Sequence, residues 1–170
     1  MYADIVVGTD FSETAEKAVE QAATIAKAFG ATLHIVTAFK PALVGSIAGS
    51  SLEAMAYGAA TALGEVESHI ADEVESRLNA IEKRYVEDGL DVRTHGLAAE
   101  PADALIDVCE GCGADLIVVG NRGMASARRF VLGSVPNKIS HHAPCSVLIV
   151  HTGDRSGRET APRVVEERIA

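Results

Sequence analysis

Positive charge is in short supply in this chain: fifteen Lys and Arg face twenty-four Asp and Glu over 170 residues, a formal net charge of −9. Broad attraction to a phosphate backbone is thereby excluded as its main business, so no nucleic-acid partner is expected. Cysteine is scarce as well, three residues in all with no disulfide-framework spacing, which fits a reducing compartment. Long apolar runs are missing. The longest uncharged stretch near the middle, Pro41 to Leu52, is too short and too rich in Gly and Ser to span a bilayer. The first residues reach Asp4 without a basic or an apolar leader region, so the expectation is a cytoplasmic protein with no membrane partner. Three familiar motifs are also absent: the G-x-x-x-x-G-K-[ST] phosphate loop, the G-x-G-x-x-G dinucleotide fingerprint and the G-x-S-x-G nucleophile elbow. Their absence lowers the expectation of P-loop hydrolysis, hydride transfer and serine hydrolase chemistry.

What is present is an ordinary globular mixture, 48% hydrophobic and 23% charged, of a length suited to one domain. Ile5-Val6-Val7 reads as a first strand, and Ser12 opens a helix whose Ala15, Ala18, Val19, Ala22, Ile25, Ala26 and Phe29 recur at helical spacing. Gly30 stands where a helix-terminating glycine belongs. Thr32 to Ala38 is a second strand, and Val66, Ile70, Val74, Leu78, Ile81 and Tyr85 mark a second helix closed by Gly89. A third strand over Leu90 to His95 and a third helix from Pro101 to about Cys112, ended by Gly113, follow. Leu116 to Val119 is an unbroken apolar run, as in a strand covered on both faces. A fourth helix around Ser134 to His142 and a fifth strand around Val147 to Val150 complete the set. Five strands alternating with four helices predict an α/β fold with a parallel, doubly wound sheet. The domain is expected to span residues 1–151, with 152–170 as a charged tail; the 41–64 connection is long enough to be a flap or a functional loop, and its Ala content permits some helix.

The most informative stretch begins where strand four ends. Gly120-Asn121-Arg122-Gly123 is followed, nine residues later, by Gly133-Ser134 at the start of the last helix. Glycines let backbone approach a ligand closely, and the first N–H groups of a helix are unsatisfied donors at the positive end of its dipole, a combination suited to phosphate. Asp10 ends strand one in the same manner and would face that loop across one crevice if strands one and four are neighbours, able to accept ribose hydroxyls or help hold a metal on phosphates. The plain alternative is that the glycines make a turn, Gly133 relieves packing, and Asp10 caps helix one.

At these residues the sequence resembles the universal stress protein family, UspA-like and of the subgroup that carries G-x2-G-x9-G-[ST]. Gly120, Gly123, Gly133 and Ser134 match that pattern without a gap, and Thr9-Asp10-Phe11-Ser12 and His142-Ala143-Pro144-Cys145 also look like the family. The resemblance covers roughly Asp4 to His151. It implies an open five-stranded sheet in order 3-2-1-4-5 with helices on both faces, of the adenine nucleotide alpha hydrolase-like kind, usually a homodimer paired through strand five, here Val147 to Val150. It also implies a stress-response regulator in a family of which many members bind ATP and others do not; Mg2+ on the phosphates is expected where ATP is the ligand. Thr9 and Asp10 match positions near ribose and phosphate, Ala38 matches the adenine-contacting position, and Gly120, Arg122, Gly123, Gly133, Ser134 and Val135 match the phosphate and ribose loop. One departure stands out: after Gly133-Ser134-Val135, ATP-binding members usually place Ser or Thr, whereas this chain has Pro136, which offers neither hydroxyl nor N–H. AMP or cyclic AMP therefore competes with ATP as the expected ligand.

Other candidates carry less. Cys109 and Cys112 form a C-x-x-C at the end of helix three, where the dipole opposes thiolate, against a redox motif of the thioredoxin type. Cys112 is expected to approach His141, His142 and Cys145, half a zinc signature at most, and helical core packing is the plainer account of Cys109 and Cys112. His34, His69, His95 and His151 are scattered singly and read as structural. No residue pair presents an activated nucleophile, so no catalytic residue is assigned; a slow ATPase using Asp10 and a ligand-free dimeric interaction module are the rival functions.

Overall fold

A computed structural model describes residues 1–39, 53–121 and 132–152, with side chains from residue 68 onward in the second helix. The order of elements is β1 (Asp4–Gly8), α1 (Glu13–Phe29), β2 (Thr32–Phe39), α2 (Glu53–Glu87), β3 (Val92–Ala98), α3 (Pro101–Cys112), β4 (Leu116–Gly120), α4 (Ser134–His142) and β5 (Ser146–Val150). All strand pairs are parallel and the sheet order is β3-β2-β1-β4-β5, as the resemblance implies.

Alternation along the central strands divides the core in two. Ile5, Val7, Leu33, Ile35, Leu116 and Val118 pack with the apolar faces of α1 and α2, on which Ala18, Ala22 and Leu78 are buried. Val6, Val36, Ile117 and Val119 face the other way, against α3 and α4 with Leu105, Cys109 and Ile139. Each fully buried Val, Leu or Ile contributes about 1.5–3 kcal/mol relative to exposure, so two-sided burial of β2, β1 and β4 fixes them as the inner strands of the sheet. The crossovers through α1 and α2 step to one side of β1 and those through α3 and α4 to the other, which makes the gap between β1 and β4 the switch point.

Helix boundaries follow local chemistry. Ser12 caps α1 through its hydroxyl, which accepts the Ala15 N–H at 3.1 Å, and Gly30 ends the helix at φ 66°. Pro101 opens α3 and Gly113 closes it at φ 68°. Two sequence expectations shift. Helix α2 begins at Glu53 rather than near Val66, so the second half of the 41–64 connection is helical; Ala54, Ala56, Ala59, Ala60 and Ala62 make that stretch a strong helix former without an apolar stripe to announce it. Strand β3 runs to Ala98 rather than His95, because its backbone stays in register with β2 as far as the Phe39–Ala98 pair. The first part of the connection, 40–52, and the tail beyond Thr152 lie outside the described residues. No helix among the described residues is long and apolar enough to cross a membrane.

Candidate functional site

The crevice is built at the carboxyl ends of β1 and β4, which are hydrogen-bonded neighbours through the Ile5–Leu116, Val6–Ile117 and Val7–Val118 pairs. Thr9 leaves β1 with its N–H on the Val36 carbonyl at 2.9 Å, and its hydroxyl accepts the Phe11 N–H at 3.0 Å. Asp10 Oδ1 accepts the Ser12 N–H at 3.1 Å and the Ser12 hydroxyl at 2.5 Å. These bonds hold a tight turn in which Phe11 sits at φ 60°, a left-handed backbone costing a non-glycine residue roughly 1–2 kcal/mol. The turn fixes where the Asp10 carboxylate stands. Ala38 lies two residues beyond Val36 on the adjoining β2 and packs with the core on the α3 side.

Across the switch point, Gly120 ends β4 and pairs with Val150. Asn121 then organises the turn. Its backbone N–H donates to the Val150 carbonyl at 2.8 Å and its backbone carbonyl accepts the Gly133 N–H at 3.1 Å. Its side-chain oxygen accepts both the N–H and the hydroxyl of Thr152, each at 2.9 Å. A backbone N–H only donates, so the amide orientation is fixed by that contact. Thr152 is 2% exposed, and its own carbonyl accepts from Lys17 Nζ at 3.5 Å. Sequence reading gave Asn121 no role, although an Asn just past one strand and a Thr just past its neighbour were there to be noticed.

Gly133 caps α4 in an extended conformation with no side-chain capping bond. Its N–H is taken by Asn121, and Pro136 in the first turn has none. The donors that remain at the helix start are the N–H groups of Ser134 and Val135 and the Ser134 hydroxyl. A Cβ added at Gly133 would meet Pro136 Cδ at 3.4 Å and the Asn121 carbonyl at 3.6 Å, ordinary contacts, so a methyl fits the fold. The strand order therefore puts Thr9, Asp10 and Gly120 at the carboxyl ends of β1 and β4 beside the switch point, Ala38 near the carboxyl end of the adjoining β2, and Gly133, Ser134 and Val135 at the start of α4. Arg122 and Gly123, also expected there, lie outside the described residues.

A second hollow of about 210 Å3 lies between α1 and α2, lined by Thr9, Phe11, Ser12, Val19, Arg77 and Ile81 among others. That is below the roughly 300 Å3 where drug-sized ligand pockets begin. The Arg77 guanidinium lies over the Phe11 ring, 5.3 Å from its centroid, and covers the strained turn from this side.

The histidines are not all solitary. His34, 1% exposed, places Nε2 3.0 Å from Asp4 Oδ1 and Nδ1 3.1 Å from His95 Nε2. A carboxylate only accepts, so in the neutral state His34 donates from Nε2 and receives the His95 N–H at Nδ1. Burial, then His34, then Arg93 hold His95 below the usual imidazole range. Asp4 opens β1 at the amino end of the sheet, so this chain is anchored away from the crevice. The cysteines also differ from expectation. The sulfur near Cys145 is that of Cys109, at 3.2 Å, rather than that of Cys112, because Cys109 is the α3 position turned into the core. Among the described residues no group of three or more His, Cys, Asp and Glu converges to hold a metal.

Comparison with known proteins places this architecture. The model of the Universal stress protein family matches residues 1–151. The chain is 36% identical over 151 residues to universal stress protein Rv1636 of Mycobacterium tuberculosis, covering 89% of this chain and 97% of the relative. It is 31% identical over 150 residues to universal stress protein YxiE of Bacillus subtilis, covering 88% and 99%. Among solved structures, a universal stress protein in complex with cAMP superposes with a TM-score of 0.60 at 31% identity, over 89% of this chain and 98% of that one. Universal stress protein UspA from Lactobacillus plantarum gives a TM-score of 0.70 at 22% identity, over 88% and 98%, a likeness of fold. Sheet order, family match and relatives above 30% identity agree, and the chain belongs to the universal stress protein family.

Proposed function

We propose that this chain is an adenine-nucleotide-binding regulatory protein whose ligand carries a single phosphate, AMP or cyclic AMP, seated at the start of α4. The observation that carries the reading is the donor inventory there. Among the described residues, with Gly133 N–H committed to Asn121 and Pro136 lacking one, two N–H groups and the Ser134 hydroxyl remain at the helix start, a donor set suited to one phosphate. A relative of known structure, 31% identical, is in complex with cAMP, which supports the same ligand class. Thr9 and Asp10 would meet the ribose, Ala38 the adenine through its backbone, and Gly120, Arg122, Gly123 and Val135 would border the phosphate and ribose. The domain proper is residues 1–151, and two copies would pair through β5, working in the cytoplasm with no membrane partner.

The complete Gly120, Gly123, Gly133, Ser134 spacing favours a second reading, ATP. There Asp10 would be the carboxylate that helps hold Mg2+, which would supply positive charge to the phosphates. In this reading the protein's part is binding and signalling, with a slow ATPase using Asp10 as the enzymatic rival.

Calorimetric titration of the purified chain with ATP, AMP and cyclic AMP, with and without Mg2+, separates the readings. Tighter binding of a monophosphate, independent of Mg2+ and weakened at least tenfold by Gly133→Ala, is the expected result. Mg2+-dependent ATP binding that exceeds the others returns the site to the second reading. Silence from all three, with no rise in melting temperature at millimolar nucleotide, overturns both in favour of an interaction module.

A further inference from the structure

Cys109 and Cys145 are 36 residues apart in sequence, yet their sulfurs lie 3.2 Å from each other. All three cysteines are free thiols. Cys109 is 1% exposed in the last turn of α3, where its S–H points to the Ala114 carbonyl at 3.6 Å. Cys145 sits just before β5 and is only partly covered, so oxidant in solvent reaches it before Cys109. Cys112, one helical turn from Cys109, directs its sulfur back to the Cys109 carbonyl at 3.9 Å and is not part of the pair.

We propose that Cys109 and Cys145 are an oxidisable dithiol that a hydroperoxide converts to an intramolecular disulfide, stapling the end of α3 to the start of the edge strand β5. In the first step the Cys145 sulfur attacks the peroxide, taking one oxygen as sulfenic acid while the remaining fragment leaves as water or an alcohol. In the second, the Cys109 sulfur attacks the Cys145 sulfur, the S–OH bond breaks, and hydroxide with the Cys109 proton leaves as water. Two thiols are oxidised by two electrons and one peroxide is reduced by two. The sulfurs need to close by about 1.2 Å to reach the ~2.05 Å of a disulfide. Burial pushes the Cys109 thiol up to about 12, with Cys145 next in importance, so it waits as thiol. Its reaction rests on proximity, since the reacting atoms already stand within the 3–3.5 Å of a near-attack arrangement.

The staple bears on the functional site through β5, since Val150 and Thr152 at its far end hold Asn121, which in turn holds Gly133. The test treats the full chain with hydrogen peroxide near stoichiometry and follows free thiols and peptide masses under non-reducing conditions. Accessible thiols in denaturant should fall from three to one, with a Cys109–Cys145 cross-linked peptide, and dithiothreitol should restore all three. Cys112→Ser should still cross-link and end with no free thiol, whereas Cys145→Ser and Cys109→Ala should not cross-link. Overturning results are a cross-link through Cys112, cross-links only between chains, or Cys145 advancing to sulfinic acid while Cys109 stays reduced. Circular dichroism of each variant before treatment confirms that a missing cross-link is not a missing fold.

Discussion

Replacing Asn121 by Ala tests whether one side chain holds the crevice together. Its amide oxygen is the partner of two donors on Thr152, the N–H and the hydroxyl, both at 2.9 Å. Thr152 is 2% exposed, so water does not take the vacated place without local opening. A buried donor left unsatisfied costs about 1–3 kcal/mol. The N–H is fixed and should cost near the middle of that range, whereas the hydroxyl can rotate to another acceptor and counts at the low end. The sum is about 2–4 kcal/mol, which for a domain of this size lowers the melting temperature by roughly 5–12 °C. Urea unfolding followed by circular dichroism gives the free energy, with an unchanged m-value confirming a native-state effect. Asn121→Asp keeps an acceptor in place and should lose less than about 1 kcal/mol. Thr152→Val removes one donor and should cost about 1 kcal/mol, and the double variant Asn121→Ala/Thr152→Val should fall short of additivity by a similar amount. Amide exchange at Thr152 should accelerate in Asn121→Ala, and the Gly133 N–H bond to the Asn121 carbonyl should loosen with it. An Asn121→Ala protein within about 0.5 kcal/mol of wild type, with Thr152 still protected, would refute the reasoning.

Pro136→Ser restores an N–H and a hydroxyl at the start of α4; ATP affinity measured by calorimetry should rise at least fivefold relative to cyclic AMP, and an unchanged ratio would show that Pro136 does not select the ligand. His95 is held below its ordinary range when folded, by burial first, so the unfolded chain takes up the proton earlier. Its contribution is complete above about pH 6.5 and is lost as pH falls below that value, levelling off beneath the folded-state titration. Urea midpoints of wild type should therefore drop between pH 7 and 5 more steeply than those of His95→Gln. In β5, Ser146 N–H and Val150 carbonyl bond inward to β4, so by ladder alternation the backbone of Val147 and Ile149 faces outward. Val147→Pro should leave the fold intact and convert the proposed dimer to monomer in sedimentation equilibrium, and a dimer that survives would move the seam elsewhere.

Much of the fold was written in one-dimensional patterns. Apolar runs at 5–7 and 116–119, the helical period from Ala15 to Phe29, Pro101, and the glycines at 30 and 113 each reflect a local rule about periodicity or backbone conformation. Such rules act over a few residues and survive without tertiary context. The start of α4 at Ser134 was legible for the same reason, since Gly133-Ser134 is a local signal, whereas Arg122 and Gly123 lie outside the described residues. For helix α2 the Ala content before Val66 permitted helix without placing its start at Glu53, because propensity without a stripe leaves no period to read.

The pairings across the sheet were decided only by the fold. Asp4, His34 and His95 come from three strands, Asn121 and Thr152 from the ends of two, and Cys109 and Cys145 from elements 36 residues apart. Each depends on strand register and on which face of an element turns inward, quantities set by the packing of the whole core. The sequence by itself determined most of the elements and their order along the chain. The tertiary structure decided which polar and thiol groups meet, because burial makes an unpartnered group costly and only the assembled sheet supplies the partner.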